Sequence, residues 1–188
     1  MSANERITLD EYRRRAALGE FSGSQASELL EGTVVPKARQ SLKHEGALEK
    51  IQELLGKLCP EGWQLRVQQP IRVLDSQPEP DLAIVRKTLD DYADRAPEPE
   101  DVALVFEAAD ASLAVDRRLK GRIYARAGIV SYWLLDLLDS QLEVYTNPSG
   151  PVQMPGYQEH RVYRAEDKLS LVIGLDDLGM VRVADMIP

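Results

Sequence analysis

The sequence contains one cysteine, Cys59, and two histidines, His44 and His160, among 188 residues. A lone cysteine cannot close an intrachain disulfide or build a thiolate zinc cage, and two histidines argue against His-rich zinc sites and Ser-His-Asp chemistry. Glycine-rich phosphate loops are missing as well, since neither G-x-x-x-x-G-K nor G-x-G-x-x-G occurs. The longest apolar runs, 102–106 and 132–135, fall far below the roughly 20 residues a membrane-spanning helix needs. The opening residues Met1 to Arg6 carry no signal-peptide core. A cytoplasmic protein without a membrane partner is the expectation. Positive charge is also scarce: 23 Lys and Arg stand against 31 Asp and Glu, a net charge of −8. Such a field repels a polyanion, so any nucleic-acid contact has to be local. The exception is 112–126, where Arg117, Arg118, Lys120, Arg122 and Arg126 face only Asp116. That stretch is where a phosphate backbone would be welcome.

What is present fits a single globular domain over residues 1–188, with 44% hydrophobic and 29% charged residues. At this length a core can form without a disulfide or structural metal. Thr8-Leu9-Asp10-Glu11 reads as a capping box opening a helix over 9–18. Residues 28–35, broken by Gly32, suggest two short strands around a turn. Leu48, Ile51, Leu54, Leu55 and Leu58 recur at helical spacing and predict a helix over 41–58. Residues 63–74 alternate, and 81–85 and 102–106 are short apolar runs; all three predict strands. Residues 89–101, with Pro97 and Pro99 among acids, predict a surface loop. A helix ending near Ala127 follows, with Gly128 as its left-handed terminator. Strands are expected over 131–137 and 142–146 around a turn at Asp139-Ser140. One more strand, at 169–175, and a short C-terminal segment complete the reading. Helix, strands, helix and strand in this order indicate an α/β or α+β class, a mixed sheet flanked by helices.

Two carboxylates stand at the ends of runs that should be buried: Asp81 opens 81–85 and Glu107 closes 102–106. Charges there need a reason. On neighbouring strands the two acids can converge, and with the Ala108 carbonyl they form an oxygen-rich set suited to Mg²⁺ or Mn²⁺. Asp116, Lys120 and Tyr124 fall at i, i+4 and i+8, on one helix face. A lysine pointing from that face toward the acids could orient an attacking water and offset phosphate charge. Asp81, Glu107 and Lys120 thus form a coherent set for phosphodiester hydrolysis.

The motifs Glu28-Leu-Leu-Glu-Gly32, His44, Pro80-Asp81, Val105-Phe-Glu107-Ala-Ala-Asp-Ala-Ser112, Asp116-(x3)-Lys120-(x3)-Tyr124, Gly128-Ile129 and Tyr132-Trp133-Leu-Leu-Asp136 occur in this order. In order and spacing they resemble the Uma-two family of restriction endonucleases, within the PD-(D/E)XK nuclease superfamily. The resemblance runs from Ile7 to Pro188. It implies a restriction-endonuclease-like core, divalent-metal dependence, action on nucleic acid, most naturally DNA, and a bacterial cytoplasmic origin. It also implies that Asp81 and Glu107 carry the metal, that Lys120 is the catalytic lysine, and that Glu28 and His44 line the same cleft. In the wider superfamily the lysine follows the glutamate by two residues. Ala109 stands there in this chain, so Lys120 must reach in from the helix. Ser131 replaces the glutamate the family usually shows before Tyr-Trp.

Blander readings compete. Asp81 and Glu107 could end strands in water, Asp116 and Lys120 could be a surface ion pair, and His44 could cap a helix. Tyr124, Tyr132 and Trp133 read as core. Arg118, Arg122 and Arg126 form a stripe that is a solvated face unless it borders the cleft. The rival function is a catalytically silent nuclease-fold binding or regulatory protein, which the negative charge favours. If the metal reading holds, the two carboxylates should share a face of the sheet, within about 6 Å of each other. Lys120→Met should then cost cleavage and little stability. A homodimer is expected through an apolar patch at 132–135 and the C-terminal segment.

Overall fold

The computed structural model describes residues 6–21, 26–90 and 92–188. Helix α1 (Leu9–Ala17) starts where the Thr8 side chain accepts from the Glu11 amide at 3.2 Å. The reciprocal half of the capping box is absent, because the Glu11 carboxylate turns to Arg14 and Arg15. A hairpin of β1 (Ser27–Leu30) and β2 (Thr33–Pro36) follows. Helix α2 (Leu42–Leu58) is capped by Ser41, whose hydroxyl accepts from the His44 amide, and it buries Ala47, Ile51 and Leu55 at four-residue steps.

The main sheet has six strands in the order β3 (Trp63–Val67), β4 (Leu82–Arg86), β5 (Val102–Ala109), β6 (Ser131–Asp136), β7 (Gln141–Pro148) and β8 (Tyr157–Arg164). Only β5 and β6 run parallel. Parallel neighbours need a crossover, and here it is helical. It comprises α3 (Leu113–Val115), a π-helical turn (Asp116–Lys120) and α4 (Gly121–Ala127), closed by Gly128 at φ 82°. With one parallel pair in an otherwise antiparallel sheet, the class is α+β.

Both faces of β4, β5 and β6 are covered, which explains why these strands read as continuous apolar runs. On one face Leu82, Ile84, Leu104, Phe106, Trp133 and Leu135 pack against α2 and the hairpin of β9 (Lys168–Ile173) and β10 (Asp176–Arg182). On the other, Ala83, Val105, Tyr132 and Leu134 pack against Ile123 and Tyr124 of α4 and Leu30 of the first hairpin.

Several expectations need correction. The strand expected over 63–74 stops at Val67: Gln68 has φ 48°, and Pro70 offers no amide to a ladder. Ile71 and Val73 are nonetheless buried, in irregular chain. Strand β5 continues three residues past Phe106, so Glu107 lies inside a strand. The loop 89–101 carries buried Tyr92 and Asp101. Strands β8 and β10 escaped notice because β8 is a polar edge strand and β10 holds Gly179 and acids, so neither shows an apolar face in sequence. Residues 132–135 are internal to the sheet, and Leu169, Leu171, Ile173 and Met186 are buried against α2. The apolar patch expected to join a homodimer is therefore consumed by the fold. Among the described residues no helix is long and apolar enough to cross a membrane.

Gly174, at φ 63° between β9 and β10, shows how tightly the C-terminal hairpin closes on the sheet. A Cβ there would lie 2.9 Å from Trp63 Cζ2. Left-handed backbone strain of about 1–2 kcal/mol adds to that clash. Gly174→Ala should lower the melting temperature by about 4–8 °C, at roughly 2–4 °C per kcal/mol for a chain of this size. Calorimetry checks this, with Gly156→Ala, outside any helix and with nothing within 4 Å of the new Cβ, as the control.

Candidate active site

The antiparallel register pairs Leu82 with Phe106, which sets Asp81, immediately before β4, beside Glu107. The two acids share a face of the sheet, and the Asp81 amide donates to Glu107 Oε2 at 3.4 Å. Asp81 Oδ2 accepts from the Ala108 amide and from His44 Nε2, both at 2.9 Å. Glu107 Oε1 accepts from Lys120 Nζ and from the Tyr124 hydroxyl, again at 2.9 Å. Lys120 Nζ also lies 3.1 Å from Glu28 Oε1 and 3.5 Å from Asp116 Oδ1. Glu28 is itself anchored, accepting from the Glu79 amide at 2.7 Å.

Local structure explains these positions. The π-helical turn widens the crossover at Asp116–Lys120, and such turns recur at functional sites. The Tyr132 hydroxyl donates to the Asp116 carbonyl at 3.1 Å, tying the turn to β6. Arg117 ties it to β6 and β7 through Asp136 and Glu143, both buried. Held at two points, the turn presents Asp116 and Lys120 to the sheet.

Four acids, Glu28, Asp81, Glu107 and Asp116, therefore surround one ammonium and one imidazole, all of them 6% exposed or less. Burial is the largest influence on Glu107. With Asp116, Asp81 and Glu28 nearby it outweighs the pull of Lys120 and pushes the carboxyl up to about 8. Burial likewise raises Asp116. Burial also acts to raise Asp81, but the hydrogen bonds from His44 and Ala108 outweigh it, and that carboxyl lies below its ordinary value. Burial would lower Lys120, yet Glu107, Glu28 and Asp116 hold it charged well above the usual lysine range. His44 is raised in the same way, the bond to Asp81 overcoming burial. Its other ring nitrogen, Nδ1, is buried with no partner among the described residues.

The structure thus brings together Glu28, His44, Asp81, Glu107, Ala108, Asp116 and Lys120 along one cleft, with Tyr124 behind Glu107. Neither the surface ion pair at Asp116–Lys120 nor the solvated readings of Asp81, Glu107 and His44 survive their burial. The arginine stripe stays outside the cleft lining: Arg118 and Arg122 are exposed, Arg122 pairs with Glu31, and Arg126 with Asp75 and Glu31. Ser131 starts β6 opposite Thr146 and does not line the cleft. The sequence reading missed Lys37, Arg39 and Asp110 at the cleft mouth, where Ser41 Oγ donates to Asp110 at 2.5 Å. Asp110 lay inside the quoted motif, three residues after Glu107. The segment 37–40 has no pattern that separates it from an ordinary linker.

The donor set is all oxygen apart from His44, the chemistry a hard divalent cation prefers. Its excess of buried negative charge over Lys120 and the proton pushed onto Glu107 fit that preference. Among the described residues no three His, Cys, Asp or Glu side chains are already gathered in ligand geometry. The Lys120 ammonium stands between the acids instead.

The family model described as "Putative restriction endonuclease", Uma2, matches residues 9–183. The chain belongs to the Uma2 family. Among solved structures, "a putative nuclease belonging to DUF820" from Anabaena variabilis ATCC 29413 is similar in fold, with a TM-score of 0.68 at 16% identity. The match covers 96% of this chain and 97% of that one. No curated protein matches. Of the residues quoted for the resemblance, Glu28, His44, Asp81, Glu107, Asp116 and Lys120 meet at one cleft.

Proposed function

We propose that this Uma2 protein is a metal-dependent nuclease that hydrolyses phosphodiester bonds in DNA, in the bacterial cytoplasm. The observation that carries the reading is the buried Asp81–Glu107 pair with the Lys120 ammonium fixed on Glu107. Mg²⁺ or Mn²⁺ would be held by Asp81, Glu107 and the Ala108 carbonyl. When bound, a divalent cation supplies Lewis-acid polarisation of a phosphoryl oxygen. The chain's own residues do the rest. Held charged by three acids, Lys120 cannot serve as a base; it stabilises negative charge that develops on the phosphate during attack. The Tyr124 hydroxyl fixes the rotamer of Glu107, and His44 with the Ala108 amide fixes that of Asp81. Glu28 and Asp116 keep the ammonium in place.

One observation favours the rival, a catalytically silent nuclease-fold binding protein: the lysine occupies the space between the acids, with no ligand triad gathered among the described residues. A single assay separates the two. Oligonucleotides incubated with Mg²⁺ or Mn²⁺ should be cleaved by the native chain, not in EDTA, and at least 10²-fold more slowly by Asp81→Ala. Removing one charge-stabilising group at such a centre commonly costs 10²–10³ in rate. A chain that neither cleaves nor binds Mn²⁺ by calorimetry is the silent protein.

A further inference from the structure

We propose that the substrate strand enters this cleft singly, so that the protein acts on single-stranded or splayed nucleic acid and not on an intact duplex. The inference rests on the nuclease reading above and adds the substrate class. Three observations carry it.

Enclosure is the first. The groups that must meet the phosphate, Asp81, Glu107 and Lys120, are 3–5% exposed. They lie at the floor of a cavity of about 320 Å³, between residues 35–40 on one side and 110–116 on the other. That volume is at the lower end of pockets for small ligands, about 300–1,000 Å³. A duplex is stiff, with a persistence length of about 150 base pairs, and cannot feed one phosphate between such walls while its partner strand stays paired.

The scarcity of usable cations is the second. Proteins that hold duplex DNA neutralise many phosphates, and 6–10 contacts are usual for tight binding. Arg117, Arg122 and Arg126 pair with Asp136, Glu143, Glu31 and Asp75, and neither they nor the exposed Arg118 line the cleft. Lys37 leans on Glu79. Arg39, exposed on the lining, makes no hydrogen bond or ion pair among the described residues. The third is the net charge of −8, a field that repels a polyanion instead of gathering it. One or two phosphate contacts, with Arg39 first, suit a short stretch of single strand.

The test uses Asp81→Ala for binding and the native chain for cleavage, with one fluorescent oligonucleotide presented as a single strand, as a blunt duplex and as a duplex with an unpaired flap. The native chain should cleave the single strand and the flap at least tenfold faster than the blunt duplex. Binding of the single strand, followed by anisotropy between 50 and 200 mM salt, should give a log–log slope between about −0.7 and −1.5, since each contact contributes about −0.7 on single strands. Arg39→Gln should lower that slope by about 0.7 with unchanged melting temperature. Cleavage of the blunt duplex at the single-strand rate, or a slope steeper than −4, overturns the inference while the nuclease reading stands. A native chain that cleaves no form in Mg²⁺ or Mn²⁺ overturns both.

Discussion

Lys120→Met should lower the melting temperature by about 6–20 °C and cut cleavage by 10²–10³-fold. The loss of rate follows from the role proposed for Lys120, stabilising charge that develops on the phosphate. The loss of stability corrects what the sequence implies, which is a variant with nearly native melting. Lys120 Nζ is within 3.5 Å of Glu107, Glu28 and Asp116, all buried. Deleting one member of a buried ionic set strands the others, at about 3–5 kcal/mol, and each kcal/mol is worth roughly 2–4 °C in a chain of this length. Lys120→Arg keeps the charge and should recover most of the melting temperature without the cleavage, because a planar guanidinium cannot reproduce a compact ammonium in this setting. Calorimetry on both variants beside one cleavage assay checks the pair. Native melting in Lys120→Met would show that the ammonium is not electrostatically essential to the fold.

The opposite behaviour is expected of Glu107→Gln: cleavage lost by 10²-fold or more, stability gained at alkaline pH. In the metal-free protein the Glu107 carboxyl is pushed up to about 8, chiefly by burial. Between its ordinary value of about 4.5 and 8, the folded chain holds a proton that the unfolded chain has released. Native stability therefore falls as pH rises through that window and levels off above it. Glutamine has no proton to lose. It keeps an oxygen for the Lys120 and Tyr124 donors and removes the decline. One pKa unit corresponds to about 1.4 kcal/mol, and with relaxation of the neighbouring acids the gain at pH 9 should be on the order of 2–4 kcal/mol, shrinking toward zero at pH 5. Urea denaturation in EDTA at the two pH values measures it. A variant less stable than the native chain at pH 9 would mean that the Glu107–Lys120 attraction outweighs burial. A carboxylate that costs the fold stability is what the proposed metal-holding role calls for.

Much of this protein is determined by its sequence alone. Helical spacing in α2 and the continuous apolar runs of β4 to β6 are local statements about burial, and burial on one stripe or on both faces is legible from period and composition. The pairing of Asp81 with Glu107 is legible for the same reason, since each acid interrupts or ends a run that has to be inside. Tertiary structure alone decided the rest. Whether Asp116 and Lys120 were a solvated pair depended on what lay across from them. The answer, Glu28 from the first hairpin and Glu107 from the sheet, sets Lys120 against residues 92 and 13 positions away. Arg117, Arg122 and Arg126 looked free because their partners Glu31, Asp75, Asp136 and Glu143 are distant in sequence. Polar strand β8 needed β7 beside it to become a strand at all. Periodicity records which side of an element is dry; it does not record which charge on another element waits there, because that pairing is made by the folded chain and its energy by the water the fold excludes.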